Sequence, residues 1–252
     1  MEQLKPTLDQ IVEATRGKFG ITLEPSFDID PVIKGPDGEW LDNPHYTEIV
    51  ELEAFIKELR HNGVPERYLA VEWDDLEMVD PLPDIRAGCE RIRDIIKAGH
   101  SLILCGPAGT GKTQAAMLIA RAAVKQHCRV RVANVGRLAS RIRAAYSDDS
   151  TTEEYETREL ERADLLVLDD VGAGESGEAK VERRLLYFVL EARQNARRPT
   201  VVTTNLTATA LKEFLGDRLM NRLMPAEVVN FKHGRNFRRP TAATLWAPGG
   251  AS

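Results

Sequence analysis

Eight consecutive residues, Gly106-Pro107-Ala108-Gly109-Thr110-Gly111-Lys112-Thr113, concentrate the chemistry of this chain. They fit the spacing G-x-x-x-x-G-K-[ST]. Glycines allow backbone N–H groups to converge on an anion without side-chain clash, and a following helix N-terminus adds partial positive charge. Lys112 is then placed to reach the β- and γ-phosphates of a nucleotide, and the Thr113 hydroxyl to hold Mg²⁺. A second group is Asp164-Leu-Leu-Val-Leu-Asp169-Asp170, four apolar residues running into two acids. Asp169 suits Mg²⁺ held through its water shell, and Asp170 suits the orientation or deprotonation of an attacking water. Asn205 ends the β-branched run 200–204 and suits either a γ-phosphate contact or a simple turn. Together these residues predict a nucleoside triphosphatase that uses Mg²⁺.

The flanks supply the elements such a site needs. Ser101 to Cys105 is a short apolar strand, and Ala115, Ala116, Leu118, Ile119 and Ala122 recur at helical spacing. Residues 129–133 alternate as a strand. The segment from Gly136 to Tyr146 reads as a helix with Leu138, Ile142 and Ala145 inward. Arg137, Arg141 and Arg143 then point outward with Tyr146 at the end, which describes either a solvated face or a contact with single-stranded nucleic acid. Residues 147–163 are acidic and polar, a loop followed by a short helix. Residues 178–196 predict a long helix with Val181, Leu185, Phe188, Val189 and Ala192 buried and its arginines outside. From Leu211 to Met224 a helix carries Arg218 and Arg222 four residues apart, hence on one face. Such arginines serve either surface ion pairs or the γ-phosphate of a neighbouring subunit. Glu227 to Phe231 forms the last strand, followed by a basic stretch with Arg235, Arg238 and Arg239.

The front of the chain differs in character. Residues 2–16 predict a helix, 21–45 an extended segment broken by four prolines, and 46–61 a second helix ended by Asn62-Gly63. Residues 84–98 predict a single helix leading to the 101–105 strand. The expected organisation is an acidic partner-docking module over 1–62, a linker over 63–84, an ATPase domain over 85–240 and a tail over 241–252. Residues 1–100 hold 11 basic and 22 acidic side chains, and the remainder 23 and 17. Opposite charge balances suggest separate partners for the two halves. Cys89, Cys105 and Cys128 form no C-x-x-C pair and read as buried thiols of a reducing compartment. No apolar run has the length of a membrane span, and the first thirty residues lack a signal-peptide core. A cytoplasmic protein with no membrane partner is the expectation.

Taken together, GPAGTGKT, DLLVLDD, TTN and GDRLMNRL resemble, in order and spacing, the AAA+ ATPases of the bacterial DnaC/DnaI helicase-loader group, which includes the transposition ATPase IstB. The resemblance runs from about Val64 to Arg238. It implies a P-loop three-layer αβα sandwich with a five-stranded parallel sheet of order 5-1-4-3-2, and ATP sites between subunits of a homo-oligomer. Lys112, Thr113, Asp169 and Asn205 match the family's phosphate, metal and sensor positions. Arg222 matches the trans-acting finger, with Arg218 its close competitor, and Arg238 matches a terminal arginine that senses ATP. The 133–147 segment corresponds to an insertion helix that tracks single-stranded DNA. Asp170 stands where a glutamate is commoner, and its shorter side chain predicts slower hydrolysis. About twenty residues follow the last strand, which implies a minimal or absent lid. The resulting expectation is a loader of a hexameric replicative helicase. An IstB-like ATPase acting on duplex target DNA, a small-molecule P-loop kinase and an ATP-binding scaffold are the alternatives.

Overall fold

The computed structural model describes residues 32–34, 39–42, 46–145, 151–173, 179–223 and 226–232. The chain divides into two compact units, Met1–Asp75 and Leu76–Ser252.

In the first unit β1 (Val32–Lys34) pairs antiparallel with β2 (Trp40–Asp42), so the segment expected to be irregular contains a small ladder. Helix α1 (Tyr46–His61) buries Ile49, Ile56 and Leu59, which fall on one face at helical spacing. It stops where expected. Gly63 takes φ 91°, and the Val64 N–H turns back to the Leu59 carbonyl at 3.1 Å. Arg60 clasps Glu66 through two bonds of 2.6 and 3.0 Å. The helix expected over 2–16 lies outside the described residues.

The second unit is built on a parallel sheet. Its strands are β3 (Ser101–Cys105), β4 (Val130–Asn134), β5 (Leu165–Asp169), β6 (Thr200–Thr204) and β7 (Ala226–Asn230). The spatial order is β4-β5-β6-β3-β7, and every pairing is parallel. Numbered within the sheet, this is the expected order 5-1-4-3-2 read from the opposite edge. All five residues of both β5 and β6 are buried, because helices cover both faces of a central strand. Edge strand β7 has three exposed residues of five.

The helices follow from the intervening sequence. The helix expected over 84–98 is two, α2 (Leu82–Glu90) and α3 (Ile92–Ala98), broken where Arg91 leaves helical geometry at ψ 20°. The Arg91 N–H bonds back to Gly88 at 3.0 Å, a tighter turn than an α-helix makes. Helix α4 (Lys112–Lys125) is buried on nearly every side, with Ala115 to Arg121 inaccessible as a block. Helices α5 (Val135–Ala145) and α6 (Thr151–Arg162) follow β4. Helix α8 (Ala208–Leu223) bends at Gly216, whose φ of 74° and ψ of 163° interrupt it.

Helix α7 (Ala179–Asn195) corrects two expectations of periodicity. Phe188 is not in the core but 51% exposed, while Leu186 and Leu190 take the buried stripe with Leu185 and Val189. Arg193 is not outside but 1% exposed. Its Nη1 donates to the carbonyls of Leu160 (2.7 Å) and Ala163 (2.8 Å), and its Nε to Thr200 Oγ1 (3.0 Å). A helix C-terminus leaves carbonyls without intrahelical donors and carries partial negative charge, so the end of α6 is a ready partner for a buried guanidinium. Burial first, then the like charge of Arg198, pushes the Arg193 pKa down to about 9, so it stays charged at neutral pH.

Candidate nucleotide-binding site

The glycine-rich loop joins the C-terminal end of β3 to the N-terminus of α4, the sheet edge where open α/β folds take ligands. Gly106, Gly109 and Gly111 all adopt positive φ. At Gly106 the constraint is also steric, since a Cβ would stand 2.5 Å from the Phe231 carbonyl oxygen. Pro107 and Ala108 are exposed at the loop crest, and Thr110 is buried with its hydroxyl donating to the Pro107 carbonyl at 2.9 Å. The Lys112 side chain is only 5% exposed. Its Nζ donates to the Pro107 carbonyl (2.7 Å) and to Asn205 Oδ1 (3.1 Å). A buried ammonium at a glycine loop that opens a helix N-terminus suits the binding of phosphate.

The ends of two strands, β5 and β6, meet this loop and the start of α4. Thr113 Oγ1 donates to Asp169 Oδ1 at 2.9 Å, and Thr203 Oγ1 donates to the same oxygen at 2.7 Å. Asn205 Nδ2 donates to Asp170 Oδ1 at 2.9 Å. Lys112, Asn205 and Asp170 thus form one chain of bonds, and Thr113, Asp169 and Thr203 another. The segment 170–172 is held at successive backbone groups. The Asp170 N–H reaches Thr203 Oγ1 (2.9 Å), the Val171 N–H reaches the Thr203 carbonyl (2.9 Å), and the Gly172 N–H reaches Glu182 Oε1 (2.7 Å). Thr204 Oγ1 donates to the Val171 carbonyl at 2.7 Å. These bonds keep Asp170 at φ 65°, a left-handed conformation that costs a non-glycine residue on the order of 1–3 kcal/mol.

A divalent cation suits the donor set. Thr113 and Asp169 offer hard oxygen ligands side by side, and magnesium is commonly held by one carboxylate and a hydroxyl together with substrate phosphates and water. Among the described residues no group of three His, Cys, Asp or Glu forms a self-sufficient cage.

The profile of IstB-like ATP binding proteins matches residues 87–233, a span that takes in the loop, both acidic residues and every strand of the parallel sheet. The chain belongs to that family. Among its relatives, the replicative helicase loader DnaC of Escherichia coli strain K12 is 29% identical over 123 residues, 49% of either chain. The present chain therefore spans about half the length of that relative. DnaC of Buchnera aphidicola subsp. Baizongia pistaciae is 26% identical over 168 residues, 66% of this chain and 68% of the relative. A crystal structure of the DnaC helicase loader superposes with TM-score 0.54 at 22% identity, covering 66% of this chain and 99% of that one. The fold is the AAA+ ATPase core.

Outside the bonded cluster around the glycine loop, the remaining candidate residues divide by position. Arg218 and Arg222 both reach α7, where Arg218 Nη2 donates to Tyr187 Oη (2.6 Å) and Arg222 Nη2 to Glu191 Oε1 (2.9 Å). Arg218 is exposed, and Arg222 is partly covered. On α5, Arg137, Arg141 and Arg143 are exposed while Val135, Leu138, Ala139 and Ile142 are buried. Arg137 and Arg141 share a face, and helical spacing puts Arg143 on the opposite flank. Tyr146 and Arg238 lie outside the described residues. Sequence reasoning missed Thr203 and Glu182. The first was visible only as a polar residue within a β-branched strand beside Asn205. Glu182 offered no sign, since a glutamate in a first helical turn is ordinarily solvated.

No helix among the described residues is long and apolar enough to cross a membrane.

Proposed function

We propose that this chain is an ATP-dependent loader of a hexameric replicative DNA helicase, assembling through ATP bound between subunits and gripping single-stranded DNA. The bonded set of Lys112, Thr113, Asp169, Asp170 and Asn205 carries the ATPase part of this reading. The loader part is supported by relatives named as helicase loaders. Lys112 and the loop amides, with Gly106 to Gly111, bind the phosphates. Thr113 and Asp169 would hold Mg²⁺, which would supply positive charge against the phosphate oxygens. Asp170 accepts a proton from, or orients, the attacking water, and Asn205 fixes Asp170 from the β6 side. Arg218 and Arg222 act on the nucleotide of an adjoining copy, and Arg238 on the chain's own. Arg137, Arg141, Arg143 and Tyr146 contact single-stranded DNA, and residues 1–62 dock the helicase.

Mixing two inactive variants tests the assembly. Lys112→Ala and Arg222→Ala proteins, each inactive alone, regain steady phosphate release when combined, because one supplies the pocket and the other the arginine. A small-molecule kinase would instead keep full turnover in Arg222→Ala. Full-length protein captures a hexameric replicative helicase from solution, and protein lacking residues 1–62 does not. The match to IstB-like proteins favours a second reading, an ATPase that prepares duplex target DNA for a transposase. Affinities for single- and double-stranded DNA measured across a salt series discriminate, since a loader binds the single strand more tightly.

A further inference from the structure

One phenol and one carboxylate on α7 hold both arginines of α8. The Arg218 guanidinium carbon lies 4.6 Å from the centroid of the Tyr187 ring, while its Nη2 donates to the Tyr187 hydroxyl at 2.6 Å. Arg222 lies over the same ring at 5.7 Å and donates to Glu191 Oε1 at 2.9 Å. The Tyr187 hydroxyl in turn donates to that same Glu191 oxygen at 3.1 Å. Four side chains from two helices are therefore one unit.

The unit is not electrically balanced. Two guanidinium groups face a single carboxylate, which leaves the four-residue unit with a net positive charge. The hydrogen bond from Arg222, foremost, holds the Glu191 carboxyl below its ordinary range, and the charge of Arg218 adds to the effect. The bonds to the Tyr187 hydroxyl and to Glu191 engage the Nη2 nitrogens, whereas a guanidinium has five N–H donors. Arginines with a long free side chain would lose rotamer freedom on meeting an anion, and anchored ones have already lost it. The helix that carries the anchors is itself tied to the nucleotide site, because Glu182 in its first turn accepts the Gly172 N–H at 2.7 Å.

We propose that Tyr187 and Glu191 are positioning residues that present Arg218 and Arg222 as one pre-ordered cationic pair to the triphosphate of an adjoining copy. The inference rests on the trans-acting role proposed above for the two arginines. An ordinary surface ion pair would contribute little to stability and nothing to turnover. A latch that sequestered the arginines would restrain turnover, and its removal would raise it.

The test uses the full chain with Tyr187→Phe, which keeps the ring and removes the hydroxyl, and with Glu191→Gln and Glu191→Ala. Mg-ATP hydrolysis is followed across protein concentration, beside binding of a fluorescent ATP analogue and thermal melting. The expected result is a fall in kcat of roughly tenfold for Tyr187→Phe and Glu191→Ala, with KM and analogue affinity unchanged. Glu191→Gln, which retains an acceptor, falls less. Combining Tyr187→Phe with Arg218→Ala costs less than the two single losses added together, since part of the hydroxyl's effect passes through that arginine. Unchanged or faster hydrolysis in Tyr187→Phe and Glu191→Ala overturns the inference. If Arg218→Ala and Arg222→Ala are slow while the α7 variants are not, the positioning role alone fails. If the arginine variants themselves turn over normally, the trans-acting assembly fails with it.

Discussion

Asp170 holds a backbone conformation that its neighbours must enforce, and Thr203 is the neighbour with most influence. Its hydroxyl donates to Asp169 and accepts from the Asp170 N–H, so it joins both acids to β6. Thr203→Val leaves both partners short of a bond inside the sheet edge. Stability should fall by about 1–3 kcal/mol, read from urea unfolding, and phosphate release should slow with it. Thr203→Ser, which restores the hydroxyl, recovers most of both. Neighbouring residues of α7 give a contrast in packing. Phe188 is 51% exposed and Val189 1%, so Phe188→Ala should change the unfolding free energy by less than about 0.5 kcal/mol. Val189→Ala leaves a cavity and costs about 1–3 kcal/mol. A reversed order in denaturant titrations would place the wrong face of α7 inward.

At the scale of elements, the C-terminal end of α6 and the start of β6 are joined through Arg193 rather than through apolar contact alone. Removing the guanidinium strands several buried carbonyls together. Arg193→Met, close in volume, should destabilise by roughly 3–5 kcal/mol by calorimetry or urea titration. A loss near zero would mean that water or relaxation of α6 satisfies those carbonyls. Periodicity predicted α7 correctly as a helix, yet it set Phe188 inward and every arginine outward. The reason is that a hydrophobic pattern ranks residues by solubility. It does not register that a helix end nearby offers a guanidinium enough acceptors to be buried. The break between α2 and α3 is of the same kind, because no proline marks it in the sequence. Gly216 shows the opposite case. A Cβ there would meet no atom within 4 Å, so Gly216→Ala tests backbone strain alone and should cost about 1–3 kcal/mol in unfolding experiments.

For the whole molecule, titration behaviour follows from where charges and thiols are placed. Burial raises the Asp164 carboxyl, but bonds from the Arg129 guanidinium and N–H outweigh it and leave the pKa below the ordinary 3.8. Glu191 is likewise held below 4.5. A carboxyl with a lowered folded pKa binds fewer protons folded than unfolded. Its stabilisation is complete above the unfolded value and is lost as pH falls through the folded one. These two carboxyls should therefore cost the molecule stability below about pH 4.5, and Asp164→Asn should flatten that loss in circular-dichroism melts. Burial is also the leading cause that raises the thiols, Cys89 to about 12 and Cys105 and Cys128 in the same direction. Labelling at pH 8 should therefore be slow in the folded protein and should become fast on unfolding.

Local sequence determined the glycine loop, the strand running into Asp169 and the alternation of strands with helices, while the AAA+ class came from the resemblance that GPAGTGKT, DLLVLDD, TTN and GDRLMNRL carry together. Each is written within a few adjacent residues, where turn geometry and apolar spacing leave few alternatives. Only the folded chain brought Asn205 to Lys112, Thr203 to Asp169, Glu182 to Gly172 and Tyr187 to Arg218. Those partners lie from 10 to 93 residues apart, so their meeting depends on crossover connections and on the order of strands in the sheet. No local periodicity encodes that separation.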